Sequence, residues 1–194
     1  MKRIISVILI VACLSMLFSC SLFGFSSKNF EEAMKNTSPS KVTITTSTTT
    51  AGLGTLSGNY NVTYNSDNTA TIKYDCELWT EIPTDGSAFS NEVKEKFSGT
   101  VTRDASGVYS DASFVEDVEL ALSLNVGAIQ ESTISVDGKT LTATVAKADT
   151  EAVFGVAYNF DVQLSIVRGE SAIERITLAY TTGNNEVTIK CEYD

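Results

Sequence analysis

Apolar and polar residues alternate along much of this chain, and this period of two constrains its fold more than any other feature. The alternation is clearest where every second residue is apolar or aromatic: Ala70, Ile72, Tyr74, Cys76 and Leu78. Successive side chains of a strand point to opposite faces, so this segment predicts a strand with one apolar face. The same alternation recurs at residues 41–50, 59–64, 118–126, 133–145 and 160–193.

Turn signals separate the alternating segments. Asp137 and Gly138 stand between two of them, which is a strong hairpin signal. Other turn-rich stretches lie at residues 65–68, 104–107, 168–171 and 182–185. Short strands joined by hairpins predict an antiparallel sheet. For residues 41–50, KVTITTSTTT, a threonine-rich mucin-like stalk is the alternative, but the regular alternation without proline favours a strand.

Two segments have helical character instead. Phe30, Ala33 and Met34 follow i, i+3, i+4 spacing, which predicts a short helix. Asn29 is its predicted N-cap and Pro39 its end. A single helical turn is also expected within residues 148–155, capped by Asp149 and ended by Gly155.

The predicted helices are too few and too short to cover so large an apolar sheet face. The sheet must then fold into a sandwich, close into a barrel, or curl into a half-barrel with a helix across its mouth. We expect a mainly β domain over residues 28–194, with a short N-terminal helix and an antiparallel sheet curled into a half-barrel or barrel. Either form can leave an apolar hollow, which suits a hydrophobic ligand.

The N-terminus has the pattern of an export signal. Lys2 and Arg3 precede an almost unbroken apolar run over residues 4–18, too short for a comfortable membrane span of roughly 20 residues. The run ends Leu17-Phe18-Ser19-Cys20, which resembles the lipobox of bacterial lipoproteins. The alternatives are an ordinary signal peptide and an uncleaved anchor.

The lipoprotein resemblance implies that Cys20 receives a diacylglycerol, that cleavage follows before it, and that the new amino group is acylated. Residues 1–19 are then the signal peptide and residues 20–27 a lipidated tether. No cofactor is expected apart from this covalent lipid. The expected location is the cell envelope, on the outer face of the cytoplasmic membrane or on the outer membrane.

Charge and composition exclude several function classes. Without residues 1–19 the chain has 12 basic and 24 acidic residues, a formal net charge of −12, which argues against nucleic-acid binding. The sequence contains no histidine, so a Ser-His-Asp triad and the usual histidine metal sites are excluded. We expect a protein that is not an enzyme and that holds no metal.

Cys76 and Cys191 both lie on apolar faces of predicted strands. In an exported protein they form either a disulfide or a pair of buried thiols, and the sequence leaves both open. Trp79 lies opposite the apolar residues of its strand. Partial burial under a loop is favoured there over an exposed stacking platform for sugar or peptide.

Four acidic residues lie close together in the sequence: Asp111, Glu116, Asp117 and Glu119. Carboxylates are Ca²⁺ ligands, but this group lacks the spacing and the glycine of a known calcium loop. A solvated surface is therefore the favoured interpretation, and no metal ligand is predicted.

The segments FEEAMKNT and IERITLAYTTGNNEVTIKCEYD, with the Thr/Tyr-rich strands between them, resemble the periplasmic lipoprotein-carrier and lipid-carrier families. That resemblance implies a curled antiparallel sheet and a helical lid around acyl chains. It transfers no binding residue, and the lipobox departs from the soluble carrier best known in that group. The expected function is binding of a lipid-like ligand in an apolar hollow. The alternative is an envelope interaction module with a packed core and no small-molecule ligand.

Overall fold

The computed structural model describes residues 27–38, 40–83, 89–111 and 124–194. These residues contain helix α1 (Ser27–Asn36), helix α2 (Thr150–Phe154) and two 3₁₀ turns (Val126–Ala128 and Glu131–Thr133). They also contain nine strands: β1 (Lys41–Thr50), β2 (Gly54–Tyr64), β3 (Ala70–Pro83), β4 (Phe89–Arg103), β5 (Ile134–Asp137), β6 (Thr140–Val145), β7 (Val162–Arg168), β8 (Ile173–Thr182) and β9 (Asn185–Tyr193).

Several sequence predictions lie outside the described residues. They are the signal peptide, Cys20 with most of its tether, Pro39 as the end of the first helix, the first part of the strand predicted at residues 118–126, and Glu116, Asp117 and Glu119. All of these stay predictions.

The nine strands form one sheet in the order β4-β3-β2-β1-β9-β8-β7-β6-β5, and every neighbouring pair is antiparallel. In the described part of the chain β4 and β5 do not pair, so the sheet is open. This confirms the mainly β fold, the antiparallel sheet and the short N-terminal helix. Neither a closed barrel nor a two-sheet sandwich is formed by these residues.

The register aligns the apolar positions of all strands on one face, which we call the inner face. Ile44 on β1 lies opposite Cys191 on β9, and Cys191 lies opposite Ile176 on β8. All three are buried, and the buried cluster runs from Val101 on β4 to Leu141 on β6. Directly opposed residues share a face, so the period of two in the sequence builds a continuous apolar layer. The opposite, mainly polar face is the outer face.

Helix α1 covers part of the inner face. Phe30 and Ala33 are buried, and the helix packs against β7, β8 and the first 3₁₀ turn. After the helix, the hydroxyl oxygen of Thr37 accepts a 2.9 Å hydrogen bond from the backbone N–H of Ile173. The predicted helix is confirmed, but the N-cap prediction is wrong: the helix begins at Ser27, so Asn29 lies inside the first turn.

The second predicted helical turn is also confirmed. Helix α2 has Asp149 at its N-cap position and Gly155 at its C-cap, where a φ of 76° suits glycine. The Asp149 side chain makes no capping bond to this helix. Its carboxylate instead accepts a 2.7 Å hydrogen bond from the Gln130 side chain and ties the helix to the preceding loop.

The strand prediction for residues 118–126 is wrong in its described part. Leu124 and Asn125 belong to no strand, and Val126 begins a 3₁₀ turn. The backbone N–H of Asn125 bonds to the Val153 carbonyl at 2.7 Å, and helix α1 packs against the turn. Leu124 and Val126 are buried there. Their apolar spacing reflects contact with the helices and not pairing in the sheet.

Candidate ligand site at the open end of the inner face

The inner face is tightly packed over β6, β7, β8 and β9. The most buried side chains here have no accessible surface: Leu141, Ile166, Ile176, Leu178 and Ile189. A side chain with no accessible surface touches no water-sized space. This part of the inner face is therefore a filled core, and the apolar hollow predicted from the sequence does not lie there.

The inner face becomes exposed at the sheet end that carries the β1–β2 and β8–β9 turns. One row crosses five strands there, each residue opposite the next: Tyr180, Val187, Thr48, Leu56 and Leu78. Val187 is buried, but Leu56 is 41% exposed and the other three are partly exposed. An exposed leucine on the face that elsewhere forms the core marks the place where the core opens to solvent.

The next row inward is closed. It consists of residues that again lie opposite one another: Leu178, Ile189, Thr46, Gly58 and Cys76. All of them are buried. The site is therefore a shallow apolar recess with a closed floor, and not a tunnel through the described core.

Stacked aromatic rings extend the exposed row beyond β8. The Tyr180 and Phe160 ring centroids are 4.4 Å apart with planes 12° apart, and Phe160 and Tyr158 are 5.0 Å apart with planes 28° apart. Phe154 meets Tyr158 edge-on at 6.4 Å from inside the core. Rings held in this way present apolar surface with little side-chain entropy left to lose on binding. Phe160, Tyr158 and Tyr180 are all partly exposed.

Hydroxyl groups lie beside this apolar row. Thr46 is buried in the closed row and Thr48 is partly exposed in the open row. Thr80 lies two residues beyond Leu78 on the same face of β3, opposite Gly54. Its Oγ1 atom is buried and has no hydrogen-bond partner among the described residues. A buried polar atom without a partner costs about 1–3 kcal/mol. Because Oγ1 has almost no accessible surface, a ligand in the recess does not reach it, and Thr48 is the hydroxyl that a ligand can meet.

Two tyrosines build the deeper floor because glycines leave room for them. A Cβ placed on Gly58 would lie 2.6 Å from the Tyr60 ring, and one placed on Gly99 would lie 2.5 Å from the Tyr74 hydroxyl oxygen. The Tyr60 ring therefore lies over Gly58, two residues earlier on β2, and the Tyr74 ring lies over Gly99, its partner on β4. Cys76 donates a weak 3.7 Å hydrogen bond to the Tyr60 hydroxyl. Larger residues at Gly58 or Gly99 would displace these rings and reshape the floor.

Cys76 and Cys191 are both free thiols and both buried. Cys76 lies on β3 and Cys191 on β9, with β2 and β1 between them. Neighbouring strands are about 4.8 Å apart, so the two Cα atoms lie beyond the roughly 7 Å that a disulfide spans. The structure agrees with the buried-thiol alternative and not with a bridge. Burial raises the pKa of Cys191 from 9.0 to about 12.

We expect both thiols of the chain comprising residues 21–194 to be unreactive toward Ellman's reagent at about pH 8 and to react fully in denaturant without reductant. Burial keeps both thiols out of the reagent's reach, and it also raises the pKa of Cys191. Release of no thiol in denaturant would establish a disulfide instead. Because the unfolded thiol of Cys191 ionises near 9.0 and the folded one near about 12, the free energy of unfolding should fall as pH rises between these values.

Trp79 lies on the outer face and is partly buried, in line with the interpretation favoured from the sequence. Its indole N–H donates a 3.2 Å hydrogen bond to the Glu77 carboxylate, which also pairs with Lys96. The hydrogen bond from Lys96 lowers the pKa of Glu77. The ring is thus attached to a charged surface pair and lies on the face opposite the recess. No group of three or more metal-ligating side chains occurs within the described ranges.

Comparison with known proteins adds little. No protein-family profile matches the sequence, and no curated protein matches it. Among solved structures, the crystal structure of LprF from Mycobacterium bovis is similar with a TM-score of 0.39 and 13% identity. The match covers 86% of this chain and 90% of that one. None of the described helices is both long and apolar enough to cross a membrane.

The sequence did not identify the recess. Leu56, Leu78 and Tyr180 have the same alternation as the buried residues next to them, so nothing local distinguishes them. Their exposure follows from their place in the register: Tyr180 lies at the end of β8 opposite to Ile173, whose backbone bonds to Thr37 after helix α1. Only Tyr180 adjoins a predicted turn, at residues 182–185, so the sequence offers no signal common to the three residues.

Proposed function

We propose that this protein is a bacterial lipoprotein, anchored in the cell envelope by lipid on Cys20, whose β domain binds a lipid-like ligand at the open end of its inner face. The proposal is supported chiefly by one observation: Leu56 is 41% exposed on the face that otherwise forms the core. Removing apolar surface from water is favourable by about 25 cal/mol for each Å². The exposed surface of this leucine does not contribute that free energy to folding, and a bound apolar chain would gain it by covering the leucine.

The ligand expected here is amphipathic. Its apolar chain would lie over Leu56 and Leu78, on one side of Thr48 in the open row. Its polar end would meet the Thr48 hydroxyl, which is partly exposed in the same row. A hydroxyl both donates and accepts, so it suits an ester, an amide or another hydroxyl.

The proposed role is binding and not catalysis. No cofactor is proposed besides the covalent acyl groups on Cys20, and the proposed partners are the membrane, through that anchor, and the lipid-like ligand. Nucleic acid is not among them, because the net charge opposes it. The proposed location is the outer face of the cytoplasmic membrane or the outer membrane.

An interaction module without a small-molecule ligand is the second candidate. The filled core over β6 to β9 favours it, since that region offers no space for acyl chains. Native mass spectrometry of residues 21–194 purified without detergent separates the two candidates. A co-purifying lipid mass supports the carrier role, whereas an unliganded mass even after incubation with phospholipid vesicles supports the module.

Leu56→Lys should weaken lipid binding by about tenfold or more, because a charge would replace the exposed apolar side chain of the recess. Stability should change little, since Leu56 is already exposed. The measurement is displacement of a fluorescent fatty acid from residues 21–194.

Val108→Lys is the matched control, because Val108 is 63% exposed and lies beyond Arg103, at the end of β4 opposite Ala70 and away from the recess. If both variants bind the fatty acid with the same affinity as the parent chain, the recess is not the lipid-binding site.

A further inference from the structure

The large apolar side chains that face solvent are concentrated at the open end of the sheet. Four are exposed among the described residues, and Leu53, Leu56 and Val156 lie at this end, whereas Val108 lies at the opposite end. Leu53 is in the β1–β2 turn. Val156 lies in the connection before β7, which enters the sheet opposite Ala179, one residue before the open row. Single exposed apolar residues are ordinary, but three at one end of a sheet indicate an interaction surface.

The β1–β2 turn holds Leu53 between two glycines. Gly52 and Gly54 have φ values of 73° and 139°, which suit glycine, and the Leu53 N–H donates a 3.0 Å hydrogen bond to the Thr50 carbonyl. A Cβ on Gly54 would collide with the Trp79 carbonyl oxygen, so the turn fits closely against β3. Leu53 is 67% exposed in this closely fitted turn, at a place where polar residues are usual. The turn therefore presents an apolar side chain to the solvent.

Charge also distinguishes the two ends of the sheet. At the open end, the described turns at residues 51–53 and 183–184 contain no ionisable side chain. At the opposite end, each of the four described turns contains one: Asp67, Asp104, Lys139 and Glu170. The β6–β7 connection does bring charged residues to the open end, namely Lys147, Asp149, Glu151 and Asp161. Two of these carboxylates accept hydrogen bonds within the chain, Asp149 from Gln130 and Asp161 from the Lys147 backbone. The two hairpin turns can leave water at low cost, because no charge in them has to be desolvated.

We infer that the open end docks on the surface of a phospholipid bilayer, with Leu53 and Val156 entering the interface between headgroups and acyl chains. Tyr158 and Tyr180 are partly exposed at the same end. Tyrosine is favoured at membrane interfaces because its ring is apolar and its hydroxyl is polar. Docking goes beyond the proposed ligand site, since it needs no molecule in the recess. It would turn the recess toward the bilayer, from which an acyl chain could enter.

The proposed anchor on Cys20 keeps the domain close to such a surface. Ser27, where the described chain begins, follows Cys20 by seven residues, which span at most about 25 Å. A domain held this near has a high effective concentration at the membrane, so a small apolar contact is sufficient for docking. The net charge of −12 opposes broad contact with anionic lipid, which leaves the uncharged turns as the suitable contact.

The test uses the full lipoprotein in phosphatidylcholine vesicles, with tryptophan fluorescence as the readout. Trp79 is the only tryptophan of the sequence, so Trp79→Phe provides a silent background. In that background, Leu53→Trp and Val156→Trp each place an indole at the open end. Val108→Trp is the matched control at the opposite end. Dibromo-phosphatidylcholine should quench the first two about twofold and the control by less than about 10%, because interfacial side chains enter the bilayer surface by about 5–10 Å.

A second substitution tests whether the two loops dock together. Leu53→Asp added to the Val156→Trp protein should remove most of the quenching, since a carboxylate resists transfer from water, whereas Val108→Asp should leave it unchanged. Equal effects of the two aspartates would overturn the inference. So would absent quenching, equal quenching at all three positions, or quenching confined to one open-end position, which a lipid held in the recess would explain.

The docking and the ligand site fail separately. Fatty-acid binding by residues 21–194 without quenching at positions 53 and 156 removes the docking and keeps the recess. Quenching at both positions without fatty-acid binding supports the docking and removes the recess.

Discussion

Cys20→Ala is expected to abolish incorporation of radiolabelled palmitate and to remove the mature, membrane-bound form of the protein. Acyl chains contribute about 0.8 kcal/mol of membrane binding per buried methylene, so two or three chains anchor a protein stably where one does not. The measurement is palmitate labelling combined with membrane fractionation and the molecular mass of the product.

Cys13→Ala is the matched control for this experiment. Cys13 lies within the apolar run of the leader and leaves with the signal peptide if cleavage occurs before Cys20. Its substitution should change neither labelling nor fractionation. A Cys20→Ala protein that is still labelled and still membrane-bound would show that the lipobox interpretation is wrong.

Phe30→Ala is expected to lower the free energy of unfolding by about 3–5 kcal/mol. The Phe30 side chain has no exposed surface, and the Arg168 guanidinium carbon lies 5.7 Å from its ring centroid. Removing the ring leaves a cavity between α1 and the sheet. Such a loss is a large part of the 5–15 kcal/mol that usually stabilises a domain. Urea unfolding of residues 21–194, followed by circular dichroism, measures it.

Two further variants separate packing from helix propensity. Lys35→Ala lies on an exposed position of the same helix and should change stability by less than about 0.5 kcal/mol. Phe30→Leu keeps much of the apolar volume and should cost clearly less than the alanine substitution. If Phe30→Ala costs less than about 1 kcal/mol, helix α1 does not hold the core in the way its burial indicates.

The strands were predictable because their signal is local. Alternation of Val42 and Ile44 with threonine, or the pair Asp137 and Gly138 between two alternating runs, depends only on neighbours along the chain. The structure confirms strands β1, β5 and β6 at these places. The two helices were predictable for the same reason, from spacing and turn residues.

The errors arose where distant contacts compete with local patterns. Leu124 and Val126 have the spacing of a strand, but they pack beside α1 and α2 in an irregular segment. Asp149 has the position of a cap, yet its carboxylate bonds to Gln130. Such partners lie many residues away, and a single sequence does not contain the distance between them.

A mainly β chain with one apolar sheet face, a short N-terminal helix and no histidine chemistry follows from the amino-acid order alone, because composition and period are properties of the chain. Which apolar residues are core and which are exposed depends on the folded sheet. Leu178 is fully buried and Leu56 is 41% exposed, although both lie at inner-face positions of their strands. Burial depends on what packs over a residue. The pairing register of the nine strands sets where each residue lies on the inner face, and therefore what packs over it.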